Sequence, residues 1–463
     1  MDDSQCSPLL GAMVWVLVVL MIVPDGLDYQ SLGSVGVPSS GSSISRALWL
    51  GLLVLGALII CWRAGVARLL LGRLNPYLVV LLVLAGASVF WSIDPDLTLR
   101  RIVRLVTIFS VCIAFTLMGW HARRFQNVLR PVLTLVLLGS LIFGLMYPQL
   151  AIHQETSPEL IGAWRGLTNH KNGLGALACV SLIFWVHAGL TRQVRVPIVL
   201  AGSAIALTCL VLSRSSTGML SAFLVTLLLV ALLGAPLGMR RHVPLIVILL
   251  AGALLLCALA VLQLIPGLDT LAQALSALTD KPTTFTGRTL IWATISEHIG
   301  KHPLLGSGYA AYWTPTPSPG DDAYAFIEQT GSFYPGSAHN GYLEVANDLG
   351  WVGLIALVGY IGTLIKQSLR LAQTDYAQGA LYLALIFDQL ITNSSESHWF
   401  SVLSIDFIIV TLATTALARG LLEGDLRQSF GVPRRQVAVP ALGEDVSTQP
   451  RVDRVLHRPS AIP

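Results

Sequence analysis

Long apolar runs, each closed by charge or by Pro and Gly, alternate with short polar stretches along almost the whole chain. They fall at approximately 9–24, 47–62, 77–92, 102–120, 131–149, 173–190, 197–213, 217–235, 244–264, 348–365, 377–393 and 400–418. A hydrocarbon core of about 30 Å needs about 20 helical residues. The pattern therefore predicts an all-α polytopic membrane protein with about 12 transmembrane helices over residues 1–418. The first run has an acidic flank, Asp2 and Asp3, and no small-residue cleavage site before the next span, so it reads as a helix rather than a signal peptide. Most connections are short, but two stand out: 150–172 and a long loop at 265–347. Loops of that length inside a compact fold usually carry function. The tail at 419–463, with VPRRQVAVP and STQPRVDRVLHRP, is polar and proline-containing and is expected to be cytoplasmic and disordered.

Composition agrees with the pattern. Of 463 residues, 54% are hydrophobic and 12% charged, against roughly 25% charged in a soluble protein. So sparse a charge excludes an ordinary soluble enzyme, and no nucleic-acid partner is expected. Six cysteines are present, of which only Cys6 lies clearly outside the apolar runs, and there is no CxxC pair. No disulfide framework or metal site follows.

The distribution of the basic residues orients the chain. With an even helix count both ends share one side, and the loops and tail on that side carry 19 Lys and Arg against 10 on the other. Basic residues are retained on the cytoplasmic side, so the termini are expected to be cytoplasmic and residues 265–347 periplasmic. The minority are Arg46, Arg100, Arg101, Arg104, Arg165, Lys171, Arg214, Lys281, Arg288 and Lys301. Cations placed against the insertion bias, partly within the apolar zone, need an anionic partner or a water-filled cavity. A phosphate-bearing lipid would supply that anion.

Several polar constellations lie at this face. WRGLTNHKNGLGALA packs Arg165, Asn169, His170, Lys171 and Asn172 before an apolar helix, where free N–H groups and the helix dipole suit an anion. A polar cap at the headgroups has the same composition. TGRTLIWATISEHIGKHP reads as an amphipathic helix along the membrane surface, with Leu290, Ile291, Ala293, Thr294 and Ile295 apolar and Arg288, Glu297 and Lys301 polar. In PLLGSGYAAYW, Gly306 and Gly308 permit a tight turn. Residues 313–338 are rich in Pro, Thr, Ser and aromatics, which suits sugars and equally an interfacial belt. His339 opens SAHNGYLEVANDLGWVG at a helix start, with Asn340, Glu344 and Asp348 nearby to orient it, either as a proton acceptor or as a cap. DPDLTLRRIVRL sets Arg100 four residues from Arg104, and its Asp94 and Asp96 form either a metal-holding pair or a membrane-edge turn. SRSSTG adds Arg214 and three hydroxyls, or only a tight turn.

Taken together and in this order, WSIDPDLTLRR, RGLTNHKNGLGALA, SRSSTG, TGRTLIW, HPLLGSGY and HNGYLEVANDLGWVG resemble the O-antigen ligase and Wzy-type polymerase superfamily, nearest to its ExoQ-like branch. The resemblance covers about 75–365, and its sharpest element is His339-Asn340 followed, after nine residues, by Gly350 and Gly353 in G-x-x-G. It implies a GT-C-type glycosyltransferase with a long periplasmic loop over a cavity, in a bacterial inner membrane. It implies undecaprenyl-diphosphate-linked saccharides as donors, inversion at the anomeric carbon, no cofactor and no required metal, so no metal is expected at Asp94 and Asp96. The family's essential histidine corresponds to His339 and its arginines to Arg165 and Arg288, as catalytic groups. Substrate contacts are expected from His170, Lys171, Asn172, Arg214, Arg100, Arg104 and Asn340. Membrane lipids, a flippase and a chain-length regulator are the partners so implied.

Two other readings remain open. A ligase would use the same chemistry to pass a finished glycan to lipid A core or another acceptor. A lipid flippase or transporter would also have many helices, but transporters place their sites near the midplane on broken helices, whereas the polar motifs here gather at one face.

Overall fold

The computed structural model describes residues 3–24, 29, 42–117, 124–155, 160–261, 288–313, 335–402 and 404–429. The predicted contacts from 314–334, Lys281 and the tail beyond 429 lie outside these residues.

The helices are α1 (Asp3–Ile22), α2 (Ser43–Trp62), α3 (Ala64–Leu71), α4 (Pro76–Ala87), α5 (Pro95–Leu117), α6 (Arg124–Met146), α7 (Pro148–Ala151), α8 (Lys171–Leu190), α9 (Val196–Ser213), α10 (Ser216–Gly234), α11 (Leu237–Arg240), α12 (Val243–Val261), α13 (Arg288–Lys301), α14 (Gly341–Ala372), α15 (Tyr376–Thr392) and α16 (Ile405–Ser429). Each apolar run overlaps one of these helices, and the described residues contain no strand. Among the described residues, seven helices are long and apolar enough to cross a membrane, or eight if Ala64–Leu71 and Pro76–Phe90, bent by 102°, form one span. The chain is thus a multi-pass all-α membrane protein. α5 is as long as these, but it opens with Arg100, Arg101 and Arg104.

Helix entries are set by side chains that satisfy the free N–H groups of the first turn. Asn75 accepts from Tyr77 N at α4, Ser215 from Gly218 N at α10, and Asp375 from Gln378 N at α15. α16 runs on to Ser429, past the boundary at 418 read from hydropathy. An Arg419–Glu423 pair at 3.0 Å, one helical turn apart, supports this polar extension.

Burial separates an inner group from an outer ring. The spans at Lys171–Leu190 and Ile405–Asp425 are 78% and 83% buried, whereas Ser43–Trp62 and Val196–Ser213 are 17% and 28% buried. α8 packs on α9, α10 and α15, α14 packs on α4 and α15, and α16 packs on α5. Apolar side chains of the outer helices face outward, as expected where lipid replaces water.

α14 is broken at Gly350, whose φ of 66° and ψ of −167° are non-helical. Pro303-Leu304-Leu305-Gly306-Ser307-Gly308 fits into the break. Trp351 N donates to Pro303 O at 2.8 Å, Ser307 N to Asn347 O at 2.9 Å and Gly308 N to Asp348 O at 3.0 Å. Backbone groups released by the break are thereby paired, as burial away from water requires. A Cβ on Gly350 would lie 2.2 Å from the carbonyl carbon of Leu304. Gly306 and Gly308 take positive φ, and a Cβ on Gly306 would lie 2.5 Å from Asn347 O. Their expected tight turn is this clamp. α13 buries Ile291, Trp292, Ile295 and Ile299 and packs against α14, with Trp292 Nε1 donating to Ala338 O at 2.9 Å.

Candidate functional site

Glu396, in the turn between α15 and α16, is the point where the motifs meet. Asn172 Nδ2 donates to its Oε1 at 2.6 Å, and Arg288 Nη2 donates to the same oxygen at 2.9 Å. His339 Nδ1 faces Oε2 at 3.4 Å. The three partners belong to the starts of α8, α13 and α14. The start of α8 is therefore joined to the predicted arginine and the predicted histidine through a residue outside all of the predicted motifs. Its signal in the sequence was the polar run SSESHW between two apolar stretches.

The turn holding Glu396 is fixed by hydrogen bonds. Asn393 Oδ1 accepts from His398 N at 2.9 Å and Trp399 N at 2.8 Å, while Gly341 N donates to Asn393 O at 2.9 Å. Asn340 caps α14 by accepting from Tyr342 N and Leu343 N, and its Nδ2 donates to Ser394 O at 3.0 Å. Ser397 Oγ accepts from Asn340 N and donates to Glu344 Oε2, both at 3.1 Å. Thr217, in the SRSSTG turn, meets Ser395 through their hydroxyls at 2.6 Å. His339 is held at φ 47°, in the left-handed region that non-glycine residues seldom occupy.

Charge is dense here. Burial pushes the Glu396 carboxyl up, but the hydrogen bond and charge of His339, then Arg288 and His398, hold it down at about 2. Burial pushes the His170 imidazole down to about 4, against the pull of Glu396. His170 is the cap of α8, and its Nδ1 accepts from Asn172 N at 3.3 Å.

Before α8, Ile152 and Trp164 pair in an isolated antiparallel bridge. Arg165 is buried: its Nε donates to Leu150 O at 2.8 Å, while its Nη1 has no partner among the described residues. Beside it, His153 Nε2 accepts from Lys171 N at 3.1 Å and Nδ1 faces Glu155 at 3.0 Å, so Nδ1 carries the proton. The His153 and His170 rings are 5.0 Å apart.

The remaining candidates are placed differently. Arg214 takes a left-handed conformation after α9 and its Nη1 donates to Ile161 O at 3.0 Å. Arg100 is exposed on α5, and Arg104 lies over the Trp49 ring at 5.7 Å. Their neighbour Arg101 donates to Ala310 O and, at 3.3 Å, to Trp313 O, fixing the segment that follows the clamp. Asp94 caps α5, its Oδ1 accepting from Leu97 N at 3.0 Å. Among the described residues no group of three or more His, Cys, Asp or Glu is set to hold a metal ion.

A multi-pass helical protein with basic, histidine and carboxylate groups gathered at the mouths of its helices now has a family context. Residues 201–358 match the family model described as O-Antigen ligase. It is also similar to the Exopolysaccharide production protein ExoQ of Rhizobium meliloti (strain 1021), at 28% identity over 320 residues, covering 65% of this chain and 68% of the relative. The matches bear out the resemblance read from the motifs, and they associate the chain with polysaccharide polymerases and ligases. Glu396 lies outside the matched family segment.

Proposed function

We propose that the protein is a membrane glycosyltransferase that polymerises undecaprenyl-diphosphate-linked oligosaccharide units at the periplasmic face of the inner membrane. The observation that carries this reading is the Glu396 junction, which joins Asn172, Arg288 and His339 across three helix starts. With Nδ1 of His339 donating to Glu396, Nε2 is left to accept a proton. His339 then removes the proton of an acceptor sugar hydroxyl as its oxygen attacks the anomeric carbon of the donor. The bond from that carbon to the diphosphate oxygen breaks, and undecaprenyl diphosphate leaves.

Negative charge grows on the leaving group in this step, and fixed guanidiniums in a low-dielectric site stabilise it as it forms. Arg288 has Nη1 and Nε without partners among the described residues, and Arg165 has its buried Nη1. The planar fork of arginine suits paired contacts to phosphate oxygens. His170, Lys171, Asn172 and Asn340 are assigned to substrate binding around this junction. No step calls for a metal or a nucleotide sugar. Arg100, Arg104 and Arg214 are assigned to the approach of the lipid-linked anion. A twelve-span arrangement of GT-C type, with cytoplasmic termini and a flippase and chain-length regulator working beside it, completes the proposal.

The family description favours a second reading, transfer of a finished glycan to lipid A core or another acceptor. Deletion of the gene separates the two. Loss of long polymer with single repeat units remaining supports the polymerase, and accumulation of long undecaprenyl-linked polymer supports the ligase. Movement of lipid-linked sugar across liposomes without any transfer would exclude both.

A further inference from the structure

Two residues beyond Glu396, on the same turn, lies a second ionisable pair that the proposed chemistry does not use. His398 Nδ1 sits 2.6 Å from Asp406 Oδ2. Asp406 is 0% exposed, and His398 is the one partner of its oxygens among the described residues. A buried carboxylate requires a counter-charge, and the imidazolium of His398 is the one at hand. Burial pushes His398 down, but Asp406, then Glu396 and Asp388, raise it above the ordinary histidine value.

The charged groups on every side are few. His398 faces Asp406 from α16, Asp388 from α15 and Glu396 on its own turn. Asp388 is occupied by Ser221 Oγ at 2.6 Å and Cys179 Sγ at 3.2 Å. Glu396 faces His339, Arg288 and His398, with Asn172 and His170 on its α8 side. His339 also lies near Glu344. His398 therefore pairs with one carboxylate, Asp406, and stands two residues from a second, Glu396.

We propose that His398, held as an imidazolium by Asp406, is a positioning residue that limits the field of Glu396 at His339 and so sets the pH at which His339 becomes a base. This deepens the proposed function and rests on its assignment of His339. An anion beside an imidazole favours the protonated ring, and a cation behind that anion weakens the effect. Removing the cation leaves Glu396 less opposed, and His339 keeps its proton to higher pH. Asp406→Asn acts in the same direction, because a buried His398 without its carboxylate loses its charge.

The test uses the full chain in lipid nanodiscs as wild type, His398→Gln, His398→Lys and Asp406→Asn. Carbethoxylation of His339 by diethyl pyrocarbonate, followed against pH on its peptide by mass spectrometry, needs no substrate. Transfer is followed against pH with lipid-linked saccharides extracted from a host deleted for the gene. The Gln and Asn variants should move the His339 midpoint upward by roughly 0.5 to 1 unit, with the acid limb of transfer following, while His398→Lys, which keeps the cation, should move it much less. An unmoved midpoint in His398→Gln, or equal shifts in the Gln and Lys variants, overturns the proposal. If Asp406→Asn fails to insert, the two His398 variants decide alone. Failure of the His339 assignment is separately visible, because the acid limb of wild-type transfer would then not coincide with the His339 midpoint.

Discussion

At the scale of single residues, the site depends on one carboxylate that ties together groups distant in the chain. Asn172, Arg288 and His339 lie 224, 108 and 57 positions from Glu396. His339, Arg288 and Asn172 were legible because their motifs are dense in unusual polar residues. Glu396 was not, because insertion bias acts on basic residues and an acidic residue in a short turn leaves no mark in their distribution. Arg101 was passed over for Arg100 and Arg104, since spacing on a helix does not reveal which face meets a loop from far along the chain. Glu396→Gln preserves shape and removes charge, so it should lower single-turnover transfer by about 10²-fold or more while leaving donor binding within a few fold. Unchanged transfer would remove Glu396 from the site. Arg165→Lys and Arg288→Lys keep charge without the paired fork and should restore little activity to the corresponding alanine variants; full activity in both lysine variants would dissociate them from the diphosphate. The pH response has a defined sign. Glu396 is held at about 2, below its ordinary value, so its ionic contacts are complete above the ordinary carboxylate range and are lost only as pH falls toward that value. A fall in activity between about pH 7 and 5 therefore does not come from Glu396.

At the scale of elements, the positions of the helices were written in the apolar pattern because burial against neighbours and burial against lipid select the same residues. The break in α14 was not legible, since apolar positions continue on both sides of Gly350. Gly350 opens the G-x-x-G on which the resemblance rests, and its physical reason is that the 303–308 clamp occupies the space where a side chain would stand. Gly350→Ala combines a backbone conformation reserved almost wholly for glycine with a clash against the Leu304 backbone, and should destabilise the protein by about 3 kcal/mol or more. A lowered thermal unfolding midpoint in detergent, with transfer lost in proportion to folded protein, is the expected result. An unaltered midpoint would mean that the clamp yields freely. The surface pair Arg73–Asp425, at 2.8 Å and exposed on both partners, serves as the contrast: its removal should change stability by no more than about 1 kcal/mol.

At the scale of the whole molecule, the proposed site gathers at one end of the helices, as a reaction between two lipid-linked chains at a membrane surface requires. Asn169, beside the α8 entrance, and Arg241, after α10, are both exposed and should lie on opposite sides of the membrane. Single cysteines there, in a chain whose own cysteines are replaced, should react with an impermeant reagent from the periplasm and the cytoplasm respectively; labelling of both from one side would contradict the proposed sidedness. The central claim is that His339 takes the acceptor proton within a site assembled on Glu396. Its most direct test is a paired measurement on purified wild type and His339→Ala in lipid nanodiscs, reading donor binding and product formation from undecaprenyl-diphosphate-linked saccharides. The variant should insert normally, bind the donor within a few fold of wild type and lose transfer by roughly 10²- to 10⁴-fold. Near-normal transfer by an inserted, donor-binding His339→Ala protein would show that the base lies elsewhere.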